Sequence, residues 1–174
     1  MQKGVVRKRR PTPQSEYGRQ LQQKQDLKAQ YNLREKQMKN YVKEVLGGAS
    51  HGNSPELFLQ KLERRLDNVV FRAGFAPTRK QGRQMVSHGH FLVNGRKVDI
   101  PSFEVKRGDI ISPRPSSMER TLFKNTLLGL KKYEAPSWIQ LNKEKPEITI
   151  KLLPTLAEAA PSVEIPLIFE FYSR

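Results

Sequence analysis

The residues whose types could carry out a reaction are few, and their spacing argues against one. His88 and His90 flank Gly89, and a metal held there would need two more ligands. The only other histidine is His51, in the loop GGASHGNS at 47–54. Cysteine is absent, which removes thiolate ligands, disulfides and cysteine nucleophiles together. Ser87 precedes His88, but neighbouring helix positions point about 100° apart, so the two form no nucleophile–base couple. The four aspartates, Asp26, Asp67, Asp99 and Asp109, read as helix-surface or turn residues. No pair of carboxylates is spaced for acid–base work, and no glycine-rich phosphate loop is present. The expectation is no catalytic residue, no metal and no cofactor.

The remaining chemistry is cationic. Lys and Arg number 32 against 17 Asp and Glu, a net charge of +15 over 174 residues. Residues 1–46 carry 12 basic and 4 acidic groups, residues 61–114 carry 12 and 5, and residues 115–174 carry 8 and 7. Two basic blocks followed by a near-neutral tail point to a polyanionic partner, and nucleic acid fits best. A membrane surface is the rival. It would need an amphipathic helix with bulky apolar residues opposite the cations. No apolar run reaches the roughly 18 residues of a span, and the start, MQKGVVRKRRP, lacks a secretory apolar stretch, so no membrane partner is expected. Aromatics in the basic blocks mostly fall in apolar patterns, which disfavours single-strand binding by base stacking.

The cations need elements to hold them. Residues 1–15 form a basic arm broken by Pro11 and Pro13, with almost nothing to bury. A polar helix is predicted from about Glu16 to Gln30, ending at Tyr31-Asn32. A second, over 34–46, presents Met38, Tyr41, Val42, Val45 and Leu46 on one face. Ser54 and Pro55 open a helix expected to run unbroken to Ala73 and stop at Gly74, with Arg65 and Arg72 on a shared face. Thr78 and Gln81 fit a capping box opening the next helix, which Gly89 ends. Gly82 inside it should weaken it by about 1 kcal/mol relative to Ala. Arg79 and Arg83 lie one turn apart on what is expected to be an exposed face.

Phe91-Leu92-Val93, Asn94-Gly95 and Arg96-Lys97-Val98 read as a hairpin around a type I′ turn. Arg107-Gly108-Asp109 is a second tight turn leading to a short strand at Ile110-Ile111. Beyond the PRPSS linker, Ser116 and Glu119 suggest one helix ending before Pro136, burying Leu122 or Phe123, Leu127 and Leu130, with Lys131 and Lys132 at its end. Two alternating segments close the chain: Ile148, Ile150, Leu152, and then Val163, Ile165, Leu167, Phe169, Phe171. Pro166 confines the second to an edge strand or extended docking segment.

The stretch Leu62–Ile111, LERRLDNVVFRAGFAPTRKQGRQMVSHGHFLVNGRKVDIPSFEVKRGDII, closely resembles the RNA-binding module, or alpha-L motif, of the small-subunit ribosomal protein S4 family. TPQSEYGRQLQQKQ and YNLREKQMKNYVKEV resemble that family's N-terminal helices, and APSWI and IPLIFEFYSR its C-terminal part. The resemblance implies an α+β protein: a mostly helical lobe at 16–60, completed by 115–174, with an inserted α-α-β module at 61–114 and a C-terminal helix and extended segment within 115–174. It implies direct binding to 16S rRNA at a multi-helix junction, nucleation of subunit-body assembly, and a place beside protein S5 near the mRNA entry channel, with influence on translational accuracy. The ribosome would be cytoplasmic or organellar. The cysteines some relatives use for zinc are absent.

By resemblance, RNA contacts fall on Arg79, Lys80, Arg83, His88, Asn94, Arg96 and Lys97. Charge alone adds Arg64, Arg65, Arg19 and the arm residues Arg7, Lys8, Arg9 and Arg10. The rival reading is an RNA-modifying enzyme or RNA chaperone using the same module for targeting. Flanks of about 60 residues leave little room for a catalytic domain. The arm generates a test. Deleting residues 2–13 should leave the thermal melt nearly unchanged while weakening RNA binding far more at low salt than at high salt, measured by filter binding, because counterion release drives the lost contacts.

Overall fold

The computed structural model describes residues 15–48, 54–130, 132–142, 144–159 and 161–173, with Leu122 described by its backbone only. Arg7, Lys8, Arg9, Arg10, His51 and Lys131 therefore lie outside the described residues. The fold class is as expected, helices with a small antiparallel sheet.

Helix α1 spans Glu16–Gln30, with the Ser15 hydroxyl accepting the Gly18 amide at its start. Asn32 takes a positive φ of 51°, which turns the chain into α2, Glu35–Leu46. Met38, Val42 and Val45 of α2 are buried, as their spacing predicts. Helix α3 spans Ser54–Glu63 and α4 spans Leu66–Arg72, so the single helix expected from Ser54 to Ala73 is two. The break lies at Arg64-Arg65. Arg65 is extended and bridges Glu104, Val105 donates its amide to the Arg64 carbonyl at 2.9 Å, and the Leu66 and Asp67 amides donate to the carbonyls of Phe103 and Pro101. The first amides of a helix lack intrahelical partners. Here the carbonyls of Pro101 and Phe103 take up the amides of Asp67 and Leu66, so the chain can end α3 and restart at α4 with these two donors satisfied.

Helix α5 spans Arg79–Ser87, opened by Thr78, whose hydroxyl accepts the Gln81 amide at 3.2 Å. Strands β1 (Phe91–Val93) and β2 (Arg96–Lys97) form the expected hairpin. Asn94 and Gly95 have φ of 50° and 79°, the two left-handed residues a type I′ turn requires. Strand β3, Ile110–Pro113, pairs with β1, placing Val93 opposite Ile111.

The one helix expected after the linker is two, α6 (Pro115–Met118) and α7 (Thr121–Leu130). The expected Ser116–Glu119 box is not its start: the Ser116 hydroxyl accepts instead from Arg114 Nε. Phe123 and Leu130 are buried as expected. Strands β4 (Ile139–Asn142), which the sequence reading misses, and β5 (Glu147–Ile150) extend the sheet to the order β2-β1-β3-β5-β4. Phe91, Val93, Ile111, Ile148 and Ile150 line its buried face.

Helices α8 (Leu156–Ala159) and α9 (Ile165–Ser173) follow. The extended segment expected at 163–171 is thus a helix. Pro166 sits at its second position, where a missing amide leaves no bond unmade. Ile165, Ile168, Phe169 and Tyr172 then share one face, and Phe169 packs edge-on against Phe58 of α3.

Two apolar cores result. One joins α4, α5, the sheet, Phe123, Leu130 and Trp138. The other joins α1, α2, α3 and α9 with Ala159 and Val163. Residues 115–174 therefore divide, with 118–150 packing on the module and only 159–172 on the helical lobe.

A buried ionic network joins the two cores. Glu63, fully buried, accepts from Tyr31 Oη at 2.5 Å, from Asn68 Nδ2 at 2.8 Å, and from both Arg72 Nε and Nη2 at 2.9 and 2.7 Å. Arg79 Nη2 lies 3.9 Å from the same carboxylate. Asp67 accepts from Arg65 Nε and Nη2 at 3.0 and 2.6 Å and from Arg83 Nε at 3.0 Å. Burial and the adjacent Glu63 carboxylate push the Tyr31 hydroxyl well above its ordinary range, which keeps it protonated as a donor. At the far side of the helical lobe, burial works to raise Glu35, but hydrogen bonds from Tyr172, Lys24 and Lys28 hold its carboxyl down at about 2.

Two tests follow from this packing. A Cβ at Gly82 would lie 2.7 Å from the Asp67 carbonyl oxygen, so α4 and α5 touch at a point only glycine fits. Gly82→Ala should destabilise by about 1–3 kcal/mol, opposite in sign to its helix-propensity gain; the melting temperature measures it. Glu63→Gln leaves the partly buried Arg72 and Arg79 without their anion and should cost about 3–5 kcal/mol, read from urea denaturation midpoints at neutral pH.

Candidate nucleic-acid interface

Helix α5 sorts its cations by face. Arg79 and Arg83, expected to be exposed, turn inward. Arg79 lies between the rings of Tyr31 and Phe71, 4.6 and 4.5 Å from their centres, and donates to Asn68 Oδ1 at 2.7 Å. Arg83 donates to Asp67 and to the Asn32 carbonyl at the α1–α2 turn. These side chains are 15% and 24% exposed, so they fasten the module to the helical lobe before they offer anything to solvent. The neighbouring row, Lys80, Gln84 and His88 at i, i+4 and i+8, is exposed.

The hairpin continues this surface. Arg96 and Lys97 are exposed, and the carbon chain of Lys97 lies over Gly89, tying β2 to the end of α5. Lys97 Nζ is 3.4 Å from Asp99. Asn94 is engaged in the fold: its Oδ1 accepts the Ile110 amide at 2.9 Å and its Nδ2 donates to Asp109 at 2.8 Å, joining the two tight turns.

The charge-based additions fare differently. Arg65, expected on a surface with Arg72, is 2% exposed and bound to Asp67 and Tyr41. Burial works against its charge and Asp67 more than restores it. Arg64 is held by the Val105 carbonyl and Glu104. Arg19 is exposed on α1, a helix of the other core, and is paired with Glu164 at 2.6 Å.

Sequence reasoning missed Arg120. It lies beyond the hairpin in sequence, yet it lines an open groove of about 440 Å³ with Lys80, Gln84 and His88. Its position depends on how α7 packs, which leaves no local signal. His90 is buried beneath the groove, with Nδ1 2.8 Å from Ser117 Oγ. Burial and the charges of Arg120, His88 and Arg114 lower its pKa, favouring the neutral ring. A second groove, of about 410 Å³, runs between the α1 terminus and the α5 start and includes Asn32, Phe71 and Lys80.

Among the described residues, no group of three or more His, Asp or Glu side chains is placed to hold a metal, and no helix is long and apolar enough to cross a membrane. The arrangement offers exposed cations on an α-β surface, suited to phosphate contacts and the shape of a folded RNA.

Comparison with known proteins matches this division. A model described as the S4 domain matches residues 64–111, and one described as the ribosomal protein S4/S9 N-terminal domain matches residues 1–63. Their junction coincides with the break between α3 and α4. The chain is similar to the small ribosomal subunit protein uS4 of Persephonella marina, 49% identical over 160 residues, 91% of this chain and 77% of that protein. It is 44% identical over 175 residues to that of Chloroflexus aurantiacus, covering 99% of this chain and 83% of that protein. For Aquifex aeolicus the identity is 45% over 163 residues, 92% and 76% of the two chains. These are ribosomal proteins and not enzymes, which removes the RNA-modifying enzyme as a reading. With an S4 RNA-binding domain bearing the exposed cations and an N-terminal domain fastened to it through Glu63, the chain belongs to the uS4 family of small-subunit ribosomal proteins.

Proposed function

We propose that the chain binds 16S rRNA directly at a multi-helix junction, nucleates assembly of the subunit body, and sits beside protein S5 near the mRNA entry channel, where it influences accuracy. The working site is the small subunit of a cytoplasmic or organellar ribosome. The observation that carries the reading is the exposed α5 row of Lys80 and His88 continuing into Arg96 and Lys97, on a scaffold whose Arg65, Arg72 and Arg83 are held by buried carboxylates.

In this reading, Lys80, His88, Arg96 and Lys97 touch RNA, joined by the arm cations Arg7, Lys8, Arg9 and Arg10. Arg64, Arg65, Arg79, Arg83 and Asn94 position them. Arg19 contributes once RNA competes with Glu164 for its guanidinium. The affinity is then electrostatic, and the specificity comes from a rigid surface meeting one RNA shape.

Lys80→Ala with Arg96→Ala should weaken binding to 16S rRNA and flatten the slope of log affinity against log salt by roughly 1.4–1.8, with an unchanged melt. Filter binding across a salt series measures both. Binding with the wild-type slope would remove this surface from the RNA contact.

A further inference from the structure

We propose that the groove between α5 and the start of α7 seats a phosphodiester of the RNA backbone, with Arg120 as a binding residue that completes a set begun by Lys80 and His88. This rests on the rRNA-binding reading and extends its surface beyond residues 64–111, onto a segment that neither matching family model covers.

Three observations carry it. First, the groove walls hold Lys80, His88 and Arg120, with Thr78 and Gln84 as uncharged polar neighbours, and no carboxylate lines them. Among the described residues neither Lys80 nor Arg120 has an ion-pair partner, in a protein where most arginines of the adjoining module are paired. Unpaired cations converging on one concavity leave a positive potential that an anion relieves.

Second, the groove is pre-organised. The two walls come from separate elements, and a buried polar and aromatic joint fixes them. His90 Nδ1 meets Ser117 Oγ at 2.8 Å, the Arg114 amide donates to the His90 carbonyl at 2.7 Å, and the His90 ring packs edge-on against Phe123 at 5.7 Å. Phe123 is fully buried one turn after Arg120, and its amide donates to the Arg120 carbonyl at 3.0 Å. Arg120 is thus rooted on the core while its side chain stays exposed. Binding a phosphate there orders little beyond one guanidinium and one ammonium group.

Third, the groove is continuous with the proposed RNA surface. Lys80 and His88, on its wall, end a ridge about 12 Å long at 1.5 Å per residue, and the Lys97 chain over Gly89 carries the cationic surface on to the hairpin. An open groove in line with such a ridge suits a polymer backbone rather than a small anion. Beneath the groove, burial first and then the charges of Arg120, His88 and Arg114 make the His90 ring less basic.

The test uses the full chain and a 16S rRNA transcript, with filter binding across a salt series and a thermal melt of each variant. Arg120→Ala should weaken binding three- to tenfold at low salt and reduce the salt slope by roughly 0.7–0.9, with the melt unchanged because the side chain has no ion-pair partner among the described residues. Arg120→Lys should keep most of the slope, and Arg120→Glu should lose more affinity than Arg120→Ala. Inorganic phosphate at millimolar concentration should compete weakly; strong competition would mark a small-anion site and overturn the backbone assignment. Wild-type affinity and slope in Arg120→Ala, while wild type binds, overturns the groove proposal alone. Failure of wild type to bind the transcript overturns the rRNA reading, and this proposal with it. If Arg120→Ala melts early, Arg120→Gln, which keeps the aliphatic chain, decides between the same outcomes.

Discussion

Two buried carboxylates, Glu63 and Asp67, organise the molecule. Each sits at an end of the α3–α4 break, and between them they engage Arg65, Arg72, Arg79 and Arg83. Removing a carboxylate from water costs several kcal/mol unless charge and hydrogen bonds replace the water. The replacements come from every direction. Tyr31 closes α1 on Glu63, Arg83 reaches the carbonyl of Asn32, Tyr41 of α2 accepts from Arg65, and Arg72 also donates to the Ala159 carbonyl beside α8. The helical lobe and the sheet-bearing module keep separate apolar cores. Their mutual orientation is set by geometry-demanding ionic contacts rather than by shared grease, and bidentate guanidinium–carboxylate pairing supplies direction as well as energy.

The same network decides what the RNA-facing surface is made of. On α5, the side chains one position apart serve opposite purposes. Arg79 and Arg83 are consumed in holding the helix against α1 and α4, and Lys80, Gln84 and His88 face out. The division suits the chemistry of the two cations. A planar guanidinium fills a buried, stacked, bidentate site, as Arg79 does between Tyr31 and Phe71, whereas a lysine ammonium is a strongly hydrated point charge that keeps its water until a phosphate displaces it. A surface carried on fixed helix and hairpin can discriminate one RNA shape from another without reading bases, because wrong shapes leave its charges unmatched.

Local chemistry made much of this legible in the sequence. The hairpin at Asn94-Gly95, the Thr78 cap, the turn at Asn32 and the apolar faces of α2 depend on residues within a few positions of one another, and each stands where its pattern predicts. The cationic character of the site was equally readable, since residue types and short spacings suffice for it.

What needed tertiary structure is whatever depends on partners far along the chain. The helix break at Arg64-Arg65 exists because residues 101–105 arrive to satisfy the amides of α4, and no property of residues 54–73 announces it. The segment IPLIFEFY is apolar at both the strand and the helix period; packing on α1 and α3 selects the helix, with Pro166 harmless at its second position. Gly82 reads as a weak point of a helix and is a contact point between two, because its missing Cβ admits the Asp67 carbonyl. Arg65, Arg79 and Arg83 look like surface charges until Glu63 and Asp67 are brought to them, while Arg120 joins Lys80 only through the packing of Phe123 and Ser117 under His90. Composition and spacing determine that the protein is a cationic binder; burial, which no single segment controls, decides which cations bind and which hold the fold.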